Sequence, residues 1–156
     1  MLDILGPRLE FPSPMTVDQA MDAAFNLDDF AWGSSIAQLD SIAGWTVVVE
    51  PVGWLGSIPE VLLRLAANGR ALSAYWNVNA VMNVGVAERG RVIRRFDPLL
   101  YDAGDPPLPE ELGLPWGVGQ PRACSLALIA RLSGVVVERD WLLERSRRTF
   151  VVPIPP

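Results

Sequence analysis

Residues 70–96, RALSAYWNVNAVMNVGVAERGRVIRRF, decide the fold. From Arg70 to Phe96 the pattern has period two, the repeat of an extended strand whose side chains alternate between faces. The stretch is broken near Asn77 to Asn79 and again at Glu88-Arg89-Gly90, where residue types that accept tight turns collect. It predicts three antiparallel strands, over residues 71–77, 80–87 and 91–96. In the middle strand Ala80, Met82, Val84 and Val86 point one way, and Asn79, Val81, Asn83 and Gly85 point the other. The expectation is a half-covered antiparallel sheet with one packed face and one largely polar face.

Upstream, Ser57-Ile58-Pro59-Glu60 opens a helix in which Ser57 is the cap, Pro59 falls in the first turn and Glu60 closes a capping box. Val61, Leu62, Leu65 and Ala66 form its buried stripe. Asn68-Gly69 is expected to end it in the left-handed conformation. Trp45-Thr46-Val47-Val48-Val49-Glu50 is a strand rich in β-branched residues, entered through a turn at Gly44 and ended by Pro51. Phe30 to Leu39 reads as its partner. Thr16-Val17-Asp18-Gln19 fits a capping box before a short amphipathic helix over residues 17–27. Residues 1–15, with Pro7, Pro12 and Pro14, read as an irregular lead.

Downstream, residues 97–121 carry six prolines and form a long connection. Its Leu99, Leu100, Leu112, Leu114 and Trp116 predict that it packs back on the domain. Arg122 to Ser133 is a helix stopped by Gly134. Val135 to Val137 is extended, Asp140 to Arg145 is a short helix, and Phe150-Val151-Val152 adds an edge strand. The pattern predicts an α+β fold, a single domain over residues 1–156, with an antiparallel sheet of about five strands and helices packed on one face.

Composition narrows the chemistry. The chain has 156 residues, 50% of them hydrophobic and 20% charged, the balance of a packed domain with room for one exposed apolar patch. The net charge is −5, and all 13 basic residues are arginine. Acidity argues against nucleic acid and anionic lipid as partners. The lack of lysine removes Schiff-base and phosphate-loop chemistry. There is no histidine and one cysteine, Cys124. A disulfide within the chain, a Cys/His zinc site and a histidine-based triad are excluded by count. No metal or cofactor is expected. Met1 to Phe11 lacks a secretory pattern, and no apolar run reaches the roughly 18 residues of a membrane span, so a cytoplasmic location is expected.

The order of motifs resembles a known group. Gly44-Trp45-Thr46-Val47-Val48-Val49-Glu50-Pro51 is followed by a capped helix, the strand Ala71 to Asn77, Glu88-Arg89-Gly90-Arg91-Val92 and Arg95-Phe96-Asp97-Pro98. Ala127-Leu128-Ile129-Ala130-Arg131-Leu132-Ser133-Gly134-Val135 stands near the end. Over residues 28–145 this resembles an uncharacterised actinobacterial domain-of-unknown-function family that pairs a GW-x-hydrophobic-E-P strand with an ERLTGV-like helix end. The resemblance implies an origin and a fold; no activity or site residue comes with it.

Each candidate site has two readings. Cys124, near a helix start and beside Arg122, is either a nucleophile or a small hydrophobe in a core. Glu50, Glu88, Asp97, Asp102, Asp105, Glu110 and Glu111 are either paired carboxylates for hydrolysis or caps and arginine partners. Tyr75, Asn77, Asn79 and Asn83 share a parity and form either a recognition surface or, for Asn77 and Asn79, a turn. Arg89, Arg91, Arg94 and Arg95, like Arg145, Arg147 and Arg148, read as solvated faces rather than phosphate grips. Trp54 and Trp116 sit in glycine-flanked loops and are either interface anchors or loop residues folded back on the core.

The leading expectation is a non-enzymatic protein-binding or regulatory domain, with an immunity- or antitoxin-like role fitting its size and acidity. It would bind through Trp54, Tyr75, Asn77, Asn79, Asn83 and Trp116. The alternatives are a small-molecule binder or histidine-free hydrolase using Glu50, Asp97 or Cys124, and a structural subunit of a homo-oligomer.

Overall fold

The computed structural model describes residues 5–6, 9–26, 33–101, 106–116 and 119–154. In chain order they form β1 (Leu9–Glu10), α1 (Val17–Phe25), β2 (Ser34–Ile42), β3 (Trp45–Val52), α2 (Pro59–Leu65), β4 (Arg70–Trp76), β5 (Met82–Glu88), β6 (Arg91–Phe96), α3 (Pro121–Ser133), α4 (Arg139–Glu144) and β7 (Arg148–Pro153). The chain divides into two compact units. Residues 1–55 and 137–156 make the first, and residues 56–136 make the second. The α+β class is present, but the single five-stranded sheet is not. There are two antiparallel sheets, ordered β1-β7-β2-β3 and β4-β5-β6.

In the first unit, Thr16 caps α1 by the expected box, its hydroxyl accepting from Gln19 N–H while Gln19 Oε1 accepts from Thr16 N–H. Ala20 and Ala24 pack on Ile36 and Val151. The β2–β3 hairpin turns at Ala43 and Gly44, both with positive φ, as a two-residue mirror-image turn requires. Pro51 does not end β3. Ile36 pairs with Val52 and Gln38 with Val49, so Glu50 and Pro51 sit in a bulge on an edge strand, where a missing N–H is tolerated. The expected partner strand begins at Ser34; its predicted start at Phe30 lies outside the described residues. The late strand is not an edge. β7 lies between β1 and β2, and Thr149, Phe150, Val151 and Val152 are buried. The N-terminal lead supplies β1 and a bridge from Met15 to Arg147.

In the second unit the three strands of the quoted stretch form as a meander. Ser57 is not the cap of α2. Ile58 holds that position without a side-chain hydrogen bond, and Pro59 occupies the first turn. Gly69 does not take a left-handed φ; its N–H donates to Ala66 O, closing the turn after the helix. The expectation of a polar face fails on β5. Val84 and Val86 are buried on one face, Gly85 and Ala87 on the other. Leu62 and Ala66 of α2 cluster with Ala71 and Ala87, while Trp116, Cys124 and Leu128 cluster with Val84. Helices therefore cover both faces of this sheet. Gly85 permits the α2 side, because a Cβ there would lie 2.8 Å from Leu62 Cδ2 and 2.7 Å from Ser73 Oγ.

A bulge in β6 decides where its arginines point. Ala87 pairs with Val92 and Val86 with Arg94, which leaves Ile93 as an extra residue. One inserted residue shifts the alternation of everything beyond it. Arg94 and Phe96 therefore share the face of Val84 and Trp116, and Arg94 is buried rather than solvated.

Candidate functional site

Glu50, Asp97 and Cys124, the groups of the hydrolytic reading, are each engaged locally; Asp102 and Asp105 lie outside the described residues. Glu50 Oε2 accepts from Leu55 N–H at 2.6 Å and from the Ser35 hydroxyl at 3.2 Å, so Glu50 caps the turn after β3. Gly53, at φ +145°, belongs to the same turn, and a Cβ on it would overlap Ser35 Oγ. Asp97 Oδ1 accepts from Leu99 N–H and starts the 3-10 turn Pro98–Leu100. Cys124 is buried among Val84, Trp116 and Leu128, and burial pushes its thiol up, opposite to what a nucleophile needs. Glu50 belongs to the first unit, Asp97 and Cys124 to the second. Among the described residues no three acidic or cysteine side chains gather as metal ligands.

Glu111 is engaged most deeply. Its carboxylate receives Arg94 Nε at 2.9 Å and Nη2 at 3.2 Å, with both side chains almost fully buried. Glu111 Oε1 also accepts from Leu108 N–H. Arg94 lies over the Phe96 ring at 4.6 Å, and Tyr101 stacks on Trp116 with centroids 5.0 Å apart. Burial, with Glu111 adding to it, pushes the Tyr101 hydroxyl up from its usual value. Trp116 Nε1 donates to Glu111 O. This cluster fastens the proline-rich connection to the sheet, and Trp116 is thereby a core residue of the second unit.

The remaining residues of the binding reading fall in both units. Trp54 is half-exposed and lies in the first unit. Tyr75, Asn77, Asn79 and Asn83 come together in the β4–β5 hairpin. Tyr75 pairs with Asn83 across the strands, on the face that α2 covers. Asn83 Oδ1 and the nearby Ser73 Oγ are buried with no hydrogen-bond partner among the described residues. Asn77 and Asn79 make the turn. Asn77 Oδ1 accepts from the N–H groups of Asn79 and Val81, Asn77 N–H donates to Val81 O, and Ala80 takes φ +58°.

That turn has an apolar consequence absent from the sequence reading. With the backbone held by Asn77, Val78 is 97% exposed and Val81 52% exposed. β6 ends at the same end of the sheet, since Phe96 pairs with Val84 near the start of β5. There Pro98 is buried and Tyr101 packs inward, while Leu99 and Leu100 are 47% and 76% exposed. One end of the second unit's sheet thus carries four exposed aliphatic residues, two on the asparagine-built β4–β5 turn and two on the turn that Asp97 starts after β6. Isolated exposed aliphatics are ordinary; four at one end of a sheet are the candidate binding residues of this unit. The only sequence signal was valine inside an asparagine turn.

No helix among the described residues is long and apolar enough to cross a membrane. The family model described as "Family of unknown function (DUF6461)" matches residues 15–113, which include this hairpin and the Pro98–Leu100 turn. No curated protein and no solved structure matches the chain.

Proposed function

We propose, for a chain that belongs to the DUF6461 family of unknown function, that its role is non-enzymatic protein binding, carried by the aliphatic end of the second unit's sheet. The observation behind this is the exposure of Val78, Val81, Leu99 and Leu100 on backbone fixed by Asn77 and Asp97. Exposed aliphatic groups on pre-set turns lose little conformational freedom on docking, so more of their burial counts toward affinity. Asn79, exposed beside them, supplies the polar rim that such patches carry. A cytoplasmic location belongs to the same reading, as does an actinobacterial source, which the motif order suggests and with which the arginine-only composition agrees.

The test compares the full chain with a Val78→Asp/Leu100→Asp variant. Both positions are exposed, so folding should persist and can be checked by circular dichroism. Immobilised wild-type protein should retain a partner from a native lysate of its source, and the variant should lose it. Light scattering over a concentration series would reveal self-association through the same patch, which is the homo-oligomer alternative. Equal capture by both proteins would overturn the assignment of this surface.

A further inference from the structure

The β6 edge carries a second, different surface. β6 is the last strand of its sheet, with β5 as its neighbour on one side. An edge strand presents unpaired backbone groups and is a template for another strand. Along β6 and its turn, Arg89, Arg91 and Arg95 are exposed, with Val92 and Ile93 40% and 48% exposed between them. The bulge at Ile93 brings two aliphatic side chains to this edge in succession.

Charge is what selects the occupant. Neighbouring arginines are matched: Arg70 pairs with Glu88 at 3.2 Å and Arg94 with Glu111. Glu88 stands opposite Arg91 in register, yet its carboxylate goes to Arg70. Among the described residues no carboxylate forms an ion pair with Arg89, Arg91 or Arg95. A chain of net charge −5 thus carries, among its described residues, three arginines outside any ion pair along one edge strand. Two copies joined through β6 would lay these arginines against each other, and like charges directly opposite destabilise a strand pair. Nucleic acid is disfavoured by the overall acidity and by the aliphatic pair between the arginines. Beside the edge, Glu88, Arg89, Arg91 and Ile93 border a shallow, open depression.

We propose that β6 docks an acidic, extended segment of another protein as an added strand, with acidic side chains meeting Arg91 and Arg95 and aliphatic ones meeting Val92 and Ile93. This surface is independent of the aliphatic sheet end, and either can fail alone.

The bulge turns Arg91 and Arg95 to opposite faces of β6, so on an added strand their partners stand three residues apart. The test therefore titrates full-length protein with a fluorescent peptide that repeats glutamate every third residue with valines between. Saturable binding is expected, weakened by more than about tenfold in an Arg91→Glu/Arg95→Glu variant, since each exposed pair turns from attraction to repulsion. A peptide N-methylated at alternate residues should bind much more weakly, because it cannot complete the ladder. The Val78→Asp/Leu100→Asp variant should bind the unmodified peptide normally. Equal affinity for a lysine–valine peptide would overturn the proposal. So would undiminished binding of the methylated peptide, tighter binding of a single-stranded oligonucleotide, or no saturable binding of the acidic peptide.

Discussion

Among the described residues each unit buries one arginine beside a sheet, and the two arginines are neutralised in opposite ways. In the second unit Arg94 faces a carboxylate in two-point contact, and Glu111 has almost no solvent exposure. In the first, Arg147 faces mainly backbone. Its guanidinium donates to the carbonyls of Trp141, Leu142 and Arg145, at and just beyond the last turn of α4, and lies 4.2 Å from the Trp141 ring centre. Asp40 is more distant, with Oδ2 3.5 Å from Arg147 Nε, and it pairs more closely with exposed Arg145. Burial pushes the Arg147 guanidinium down from its usual value, with Asp40 opposing that shift. Arg94 is thus an ion-pair clamp on a proline-rich connection. Arg147 is a cation capping the end of a helix, where orphan carbonyls and the helix dipole favour positive charge.

If this contrast is right, removing the acid should be costly in one unit and mild in the other. Glu111→Ala leaves Arg94 buried without its counter-ion and should lower stability by about 3–5 kcal/mol in urea unfolding. An Arg94→Met/Glu111→Leu double variant should recover most of that loss, because the uncompensated charge goes with its partner. Arg147→Met strands several carbonyls and should lower stability by about 2–3 kcal/mol. Asp40→Asn should lower it by less than about 1 kcal/mol, since the carbonyls keep Arg147 in place. An Asp40→Asn loss as large as that of Glu111→Ala would make the two arginines equivalent and erase the distinction.

Local pattern was legible where the signal is itself local. The α1 capping box, the Gly44 and Gly90 turns, the Gly134 stop and the three strands of residues 70–96 all formed near the positions their residue types require. What the sequence hid is non-local. Period two in β5 cannot tell whether a second helix returns from 30 or more residues away to cover the other face, and α3 does so. The place of β7 between β1 and β2 is a long-range choice that local pattern does not encode. Charge alone groups Arg94 with its exposed neighbours; one bulge residue turns it onto the packed face of Val84. At the candidate surface the asparagines were visible, but their work is to shape a turn; the valines on it, and the leucines on the turn that Asp97 starts, are the exposed aliphatic groups.

Arg148, next in sequence to Arg147, offers the finest discrimination. Its side chain points to solvent and pairs with Glu10 at 2.8 Å, both partners being about half exposed. The hydrogen bond from Arg148 lowers the Glu10 carboxyl below its usual value. A carboxyl whose folded value is depressed contributes stability fully above the unfolded value, and the contribution fades as pH falls through the folded one. Thermal melts from pH 7 down to pH 3 should therefore show a slightly steeper fall for the wild type than for Glu10→Gln, with the curves converging at the acid end. Because solvent and salt screen this pair, added sodium chloride should shrink the gap at pH 7. Arg147, one residue away but buried against carbonyls, should show no such salt dependence when Arg147→Met is compared with wild type. A salt-sensitive Arg147 would mean that Asp40, rather than the end of α4, is its real partner.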